Sequence, residues 1–143
     1  MSSVLTHKTS EIIAEILRNS GTLPEGIVIS LNGRDSTAPN VSMLISDTES
    51  RSLQKRQDGI TDEAPGIQIR IRGAPYQQNA PRSLILIVDT MLASVARLSI
   101  SYGGRVYLIS GIHRTGAVLP FPQDENHRYE WSWNGIVRLI QVS

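Results

Sequence analysis

Between Ser10 and Ser20 the apolar residues Ile12, Ile13, Ile16 and Leu17 recur at helical spacing, so they share one face of an amphipathic helix. Ser10 reads as its N-cap, with Glu11 in the first turn, Arg18 near the end and Gly21 as the stop. From Gly26 to Leu31 the chain is rich in β-branched residues and ends on Asn32-Gly33, which predicts a strand followed by a turn. Val41, Met43 and Ile45 predict a second strand over Asn40 to Ser46, closing a hairpin or a wider pairing with the first. Gly66 to Gly73 alternates Ile67, Ile69 and Ile71 with Gln68, Arg70 and Arg72, the period-two pattern of a strand with one face on a core.

A second helix is predicted from Pro81, at the first helical position, to Val95, with Leu84, Ile85, Val88, Met91 and Leu92 facing the sheet. Arg97 to Tyr102 and Arg105 to Ser110 flank Gly103-Gly104, the signature of a tight hairpin. After a loop from Thr115 to Glu125, containing Pro120 and Pro122, a long strand runs from His127 to Val142. Tyr129, Trp131, Trp133, Val137 and Leu139 share one of its faces, and Gly135 marks a bend or bulge. The expected fold is α+β: a mostly antiparallel sheet packed by two helices, in a single domain over residues 1–143.

One stretch breaks the pattern. From Asp47 to Pro65 only Leu53 and Ile60 are suited to burial, and the rest is polar, including Glu49, Arg51, Lys55, Arg56, Asp58, Asp62 and Glu63. The reading is a long polar loop, and loops of that length in compact domains are usually functional or disordered.

Composition narrows the function. Fourteen basic residues against thirteen acidic ones leave a net charge of +1, so no global field steers the chain onto nucleic acid or an anionic membrane. The absence of cysteine excludes disulfides, a thiolate nucleophile and thiolate-bound metals. Met1 to Ser10 lacks a signal-peptide pattern, and the longest apolar run, Leu84 to Val88, is too short for a transmembrane helix. Synthesis in the cytosol is the expectation.

No phosphate-binding glycine motif and no G-x-S-x-G elbow is present. His113 and His127, with Asp124 and Glu125, are the one set with metal-ligand chemistry, yet the spacing is loose and a solvated polar turn is the simpler reading. Asp89 and Glu130 form no evident acid-base pair, Asp89 reading as a surface or capping partner. Arg70 and Arg72 are placed to meet phosphates or a neighbour's carboxylates, or to lay their alkyl stems on the open sheet face with guanidiniums in water. Neither an enzyme nor a resident cofactor or metal is indicated, and the chain reads as an assembly protein.

The second half of the chain resembles the phage minor capsid and tail-terminator proteins of long-tailed phages. The resemblance rests on the strand Ile67-Gln-Ile-Arg-Ile-Arg-Gly73, matching a Q-x-R-x-R-G-like pattern, and on the helix after it. It continues through Tyr102-Gly-Gly-Arg-Val-Tyr-Leu-Ile109, the turn near Pro120, and Asp124-Glu-Asn-His-Arg-Tyr-Glu130 leading into an aromatic final strand. Residues 47–65 have no counterpart in that pattern. The resemblance implies a virion protein, made in the host cytoplasm, that forms a ring, commonly a hexamer, at the head-proximal end of the tail. Such a ring ends tube growth, contacts the tail-tube protein and a head-completion or neck protein, and lets DNA pass its lumen without sequence-specific binding. A head-completion, connector or tail-tube protein and a non-viral adaptor are the alternatives. On this reading Arg51, Lys55, Arg56, Asp58, Asp62, Glu63, Arg70, Arg72, Asp124, Glu125 and Arg128 are the candidate assembly contacts.

Overall fold

The computed structural model describes residues 5–24, 27–33, 41–55 and 61–142, with the backbone alone at 49–55 and 61–63. Among them are two helices, α1 (Thr9–Asn19) and α2 (Asn79–Ala93). The strands are β1 (Val28–Leu31), β2 (Ser42–Lys55), β3 (Thr61–Arg72), β4 (Leu98–Tyr102), β5 (Arg105–Arg114), β6 (Leu119–Phe121) and β7 (Glu130–Gln141). They form one curled, mixed sheet in the order β1-β2-β3-β7-β5-β4, with β6 pairing β7. The α+β expectation is met.

Alternation along the strands explains the layering. Cross-strand partners such as Ile45, Ile69 and Trp133 line up on one face, and Ile67, Ile71, Ile109 and Val137 join them. Both helices cover that face: α1 contacts β1 through β3 and β4, and α2 contacts β3, β7 and β5. Ile12, Ile13 and Leu17 from α1 and Leu84, Ile85, Val88 and Leu92 from α2 complete the core. Each such side chain contributes about 1.5 to 3 kcal/mol when fully buried.

Several expectations are corrected. Residues 47–55 and 61–65 are strand, not loop, because β2 and β3 stay paired from Ser42↔Arg72 to Lys55↔Thr61, with irregularities after Thr48 and Ser52. A backbone ladder needs no apolar side chains, so the hydropathy pattern missed it. Residues 56–60 lie outside the described residues. β1 runs parallel to β2, which excludes a hairpin between them.

Helix caps also differ. Lys8, not Ser10, is the N-cap of α1, its N–H donating to the Glu11 carboxylate at 2.8 Å. Ser10 lies inside the helix, where its N–H and Oγ donate to the two oxygens of Asp47 at 3.0 and 2.6 Å. Asn32, at φ 57°, donates to the same carboxylate at 2.9 Å and accepts the Asp47 N–H at 2.8 Å. The start of α1 is therefore satisfied from β2, across the chain. Pro81 occupies the third helical position of α2 rather than the first.

In the last third, Arg97 is a left-handed turn residue at φ 52° outside β4, while β5 continues to Arg114. The predicted loop over residues 115–125 contains β6. His127 is a turn residue at φ 59°, and the final strand begins at Glu130. Gly135 marks no bulge: the irregularity falls in β5, between Ile109 and Gly111.

Candidate assembly surface

With both helices on one side, the other face of the sheet is left to strand side chains and loops. Its central residues are polar. Arg70 on β3 donates from Nη2 to Glu130 on β7 at 2.8 Å, and its guanidinium lies 4.4 Å from the ring centre of Phe121 on β6. The arginine plane thus has a carboxylate at its edge and an aromatic ring on its face. Arg72 and Glu130 are only 6% and 8% exposed, so the expectation of guanidiniums in water fails for Arg72. These groups stiffen the sheet more than they offer themselves to a ligand.

The apolar part of this outer face lies at the opposite corner. Leu108 on β5 stands directly opposite Ile140 on β7, and the Val142 N–H donates to the Val106 carbonyl one rung further on. Leu108, Ile140 and Val142 are 37%, 50% and 53% exposed, and Val106 is half-buried. Among the described residues no helix covers them. Beside them is β4, whose Ser99 pairs with Leu108, and which among the described residues has no strand on its outer side.

The other end of the strand order carries a concavity of about 290 Å³. It is lined by Arg18 near the end of α1, Leu23 and Pro24 after it, and Ile27 and Ile29 at β1. Ile29 pairs with Met43, which puts it on the helix-bearing side of the sheet. Its lining side chains are apolar apart from Arg18, yet about half of its surface is polar, and at this size it is small for a small-molecule site.

The third feature is backbone alone. β3 pairs with β7 only from Arg72↔Glu130 to Gly66↔Ile136, and β1 leaves β2 at Ile45. Among the described residues, 61–65 therefore pair with β2 alone, as a two-stranded ribbon of roughly 16 Å beyond the body of the sheet. Arg51, Lys55, Asp62 and Glu63 fall on this ribbon, while Arg56 and Asp58 lie outside the described residues.

The remaining predicted contacts separate into internal and exposed groups. Asp124 accepts the N–H groups of Asn126 and Arg128 at 2.9 Å each, which folds the turn before β7. Arg128 is 6% exposed and its Nε donates to the Gly73 carbonyl at 2.9 Å, so it braces the turn after β3. Glu125 is exposed. Asp89 is neither a simple surface group nor a cap: its carboxylate accepts from Trp133 Nε1 at 2.8 Å and from Arg114 Nη1 at 3.0 Å, tying α2 to β7 and β5.

His113 and His127 do not converge. His113 is paired across from Ile136, and β7 from 130 to 136 alone spans roughly 20 Å before the turn that holds His127. His127 stacks instead on Tyr76, with ring centres 4.6 Å apart and planes within 14°. Among the described residues no group of three His, Asp or Glu side chains is placed to hold a metal ion. No helix of the described residues is long and apolar enough to cross a membrane.

The outer-face corner and the groove at β1 were not singled out from the sequence, whereas the ribbon was, as a polar stretch carrying candidate contacts, but it was read as a loop. A signal for the corner existed in the alternation of Val106 and Leu108 with the buried Tyr107 and Ile109, and of Ile140 with the half-buried Leu139, but their side of the sheet becomes visible only with the register. Set against known proteins, the chain matches no protein family and no curated protein.

Proposed function

We propose that this chain is a structural subunit that assembles with copies of itself, in the manner of a phage tail terminator that closes the head-proximal end of a tail as a ring. The observation that carries this reading is the one-sided layering of the fold. A sheet with helices on one face only presents an outer face, an exposed apolar corner and a projecting ribbon, all available to neighbouring chains.

The α+β arrangement is also of the kind that the resemblance implies, with an amphipathic helix first, then the Gln68–Gly73 strand, a helix, a hairpin and an aromatic closing strand. A ring of identical subunits needs two different surfaces on each copy and no catalytic group. Its neighbours on this reading are the tail-tube protein and a head-completion or neck protein, and DNA passes through its lumen without sequence-specific contacts.

Native mass spectrometry of the purified chain, with and without added metal, is the test. A closed oligomer, above all a metal-free hexamer, is the expected result. A monomer carrying stoichiometric metal would overturn the reading.

A further inference from the structure

The chain contains two Asn-Gly dipeptides, Asn32-Gly33 and Asn134-Gly135, and the fold treats them in opposite ways. In such a pair the glycine has no Cβ to keep its backbone nitrogen away from the asparagine side chain, so that nitrogen can attack the side-chain amide carbon. Asn134-Gly135 lies in a strand paired on both sides: Asn134 stands opposite Gln68, and Gly135 opposite Ile67 on β3 and Arg114 on β5. Asn32-Gly33 is an exposed bend just past the last rung of β1, Leu31↔Ile45, and β1 ends the strand order of the sheet.

The Asn32 side chain is held by hydrogen bonds. At φ 57° its Oδ1 accepts the Asp47 N–H at 2.8 Å, and its Nδ2 donates to Asp47 Oδ2 at 2.9 Å and to Ser10 Oγ at 3.2 Å. The same carboxylate takes the Ser10 N–H and Oγ–H, so this amide belongs to the network that anchors the start of α1. While these bonds are made, the amide is engaged by β2 and α1 and is not free to turn onto the Gly33 nitrogen. Releasing it needs only a local opening at an exposed end of the sheet, whereas freeing Gly135 needs the central strand to part from its neighbours.

We infer that Asn32 is a spontaneous modification site, a one-way latch on the start of α1 that the folded chain loses by deamidation while Asn134 is kept. In the open state the Gly33 nitrogen gives up its proton and bonds to Asn32 Cγ, and the Cγ–Nδ2 bond breaks as ammonia leaves. Water then opens the cyclic imide at either of its carbonyls. The net change is one water taken up and one ammonia released, which leaves an aspartate, or an isoaspartate whose backbone runs through the former side chain.

Neither product rebuilds the latch. Where Nδ2 donated to Asp47 Oδ2 at 2.9 Å, the aspartate form places a carboxylate oxygen. A donor is lost and two like charges face each other at the start of α1. The isoaspartate form also lengthens the backbone by one carbon, which disturbs the pairing of Oδ1 with the Asp47 N–H.

The test is peptide mapping after the folded protein is aged in mildly alkaline buffer made with heavy-oxygen water, because each converted asparagine keeps a heavy oxygen atom. Conversion at Asn32 with Asn134 intact is the expected result, and both should convert at comparable rates once the chain is unfolded in urea. An added Cβ at Gly33 meets nothing within 4 Å and the residue has no left-handed φ, so Gly33→Ala is accommodated and should slow conversion at Asn32 several-fold. Ser10→Ala removes an acceptor of the amide and a donor to Asp47, and should speed it several-fold. Asn32→Asp, made directly, should lower the melting temperature and speed hydrogen exchange in the first turn of α1. Asn134 converting first in the folded chain, or neither asparagine converting while both do in urea, would overturn the site. Asn32→Asp melting with the parent would overturn its role as a latch.

Discussion

Single residues hold this fold in ways that their types alone do not reveal. Gly135 sits on β7 two positions after Trp133, and a Cβ there would strike the indole ring and lie 2.7 Å from the His113 carbonyl. The glycine is thus a space for the tryptophan, which is 1% exposed and reaches Asp89 through its Nε1. Gly135→Ala is expected to destabilise the protein by about 1 to 3 kcal/mol, the usual cost of overpacking, measured as a lower urea midpoint at unchanged slope. A Gly103 side chain would meet His7 in the same way, because the His7 ring lies against the β4–β5 turn while its Nδ1 and the Tyr107 hydroxyl are 2.6 Å apart. Gly103 was legible as a turn signal, whereas Gly135, read as a bend or bulge, lies in regular β7 pairing. That they accommodate Trp133 and His7 follows only from contacts made across the chain.

Among the elements, the β2–β3 ribbon is where sequence and structure part most clearly. Its core-facing portion announces itself through Met43, Ile45, Ile67, Ile69 and Ile71, all at most 1% exposed. Its outer portion lacks apolar alternation because only β2 and β3 pair there, and polarity alone does not distinguish a loop from such a ribbon. Isolated two-stranded ribbons are marginally stable in water, so a ribbon that outruns its sheet gains from contact with another molecule. Replacing residues 50–62 by a short turn should leave the cooperative melt of the body within a few degrees of the parent, because the described pairing of β2 with β1 and of β3 with β7 lies outside that range. The same variant should lose the closed oligomer in native mass spectra. An intact oligomer would remove the ribbon from the assembly surface.

For the whole molecule, charge and burial set what kind of association is possible. A net charge of +1 gives no long-range attraction between copies or to DNA, and the exposed corner formed by Leu108, Ile140 and Val142 is apolar. Screening shortens to roughly 3 Å at 1 M salt and weakens exposed ion pairs, while apolar contacts are not lost. An oligomer assembled through that corner is therefore expected to persist in sedimentation velocity from about 0.1 M to about 1 M sodium chloride, whereas one held by Arg and Asp or Glu pairs on the ribbon would dissociate across that range.

By itself, the sequence determined the two amphipathic helices, the alternating strand at 66–73, the Gly103-Gly104 hairpin and the α+β class. Those features depend on periodicity and turn chemistry within a dozen residues, and local order carries them. Only the tertiary structure decided that β1 lies parallel to β2, that Asp47 satisfies the start of α1, that Arg72 and Arg128 are buried, and that His113 and His127 stand far apart. It also decided which side of the sheet Leu108 and Ile140 occupy. A strand's two faces are equivalent until its partners and the helices are in place, so exposure belongs to the assembled sheet and not to the residue.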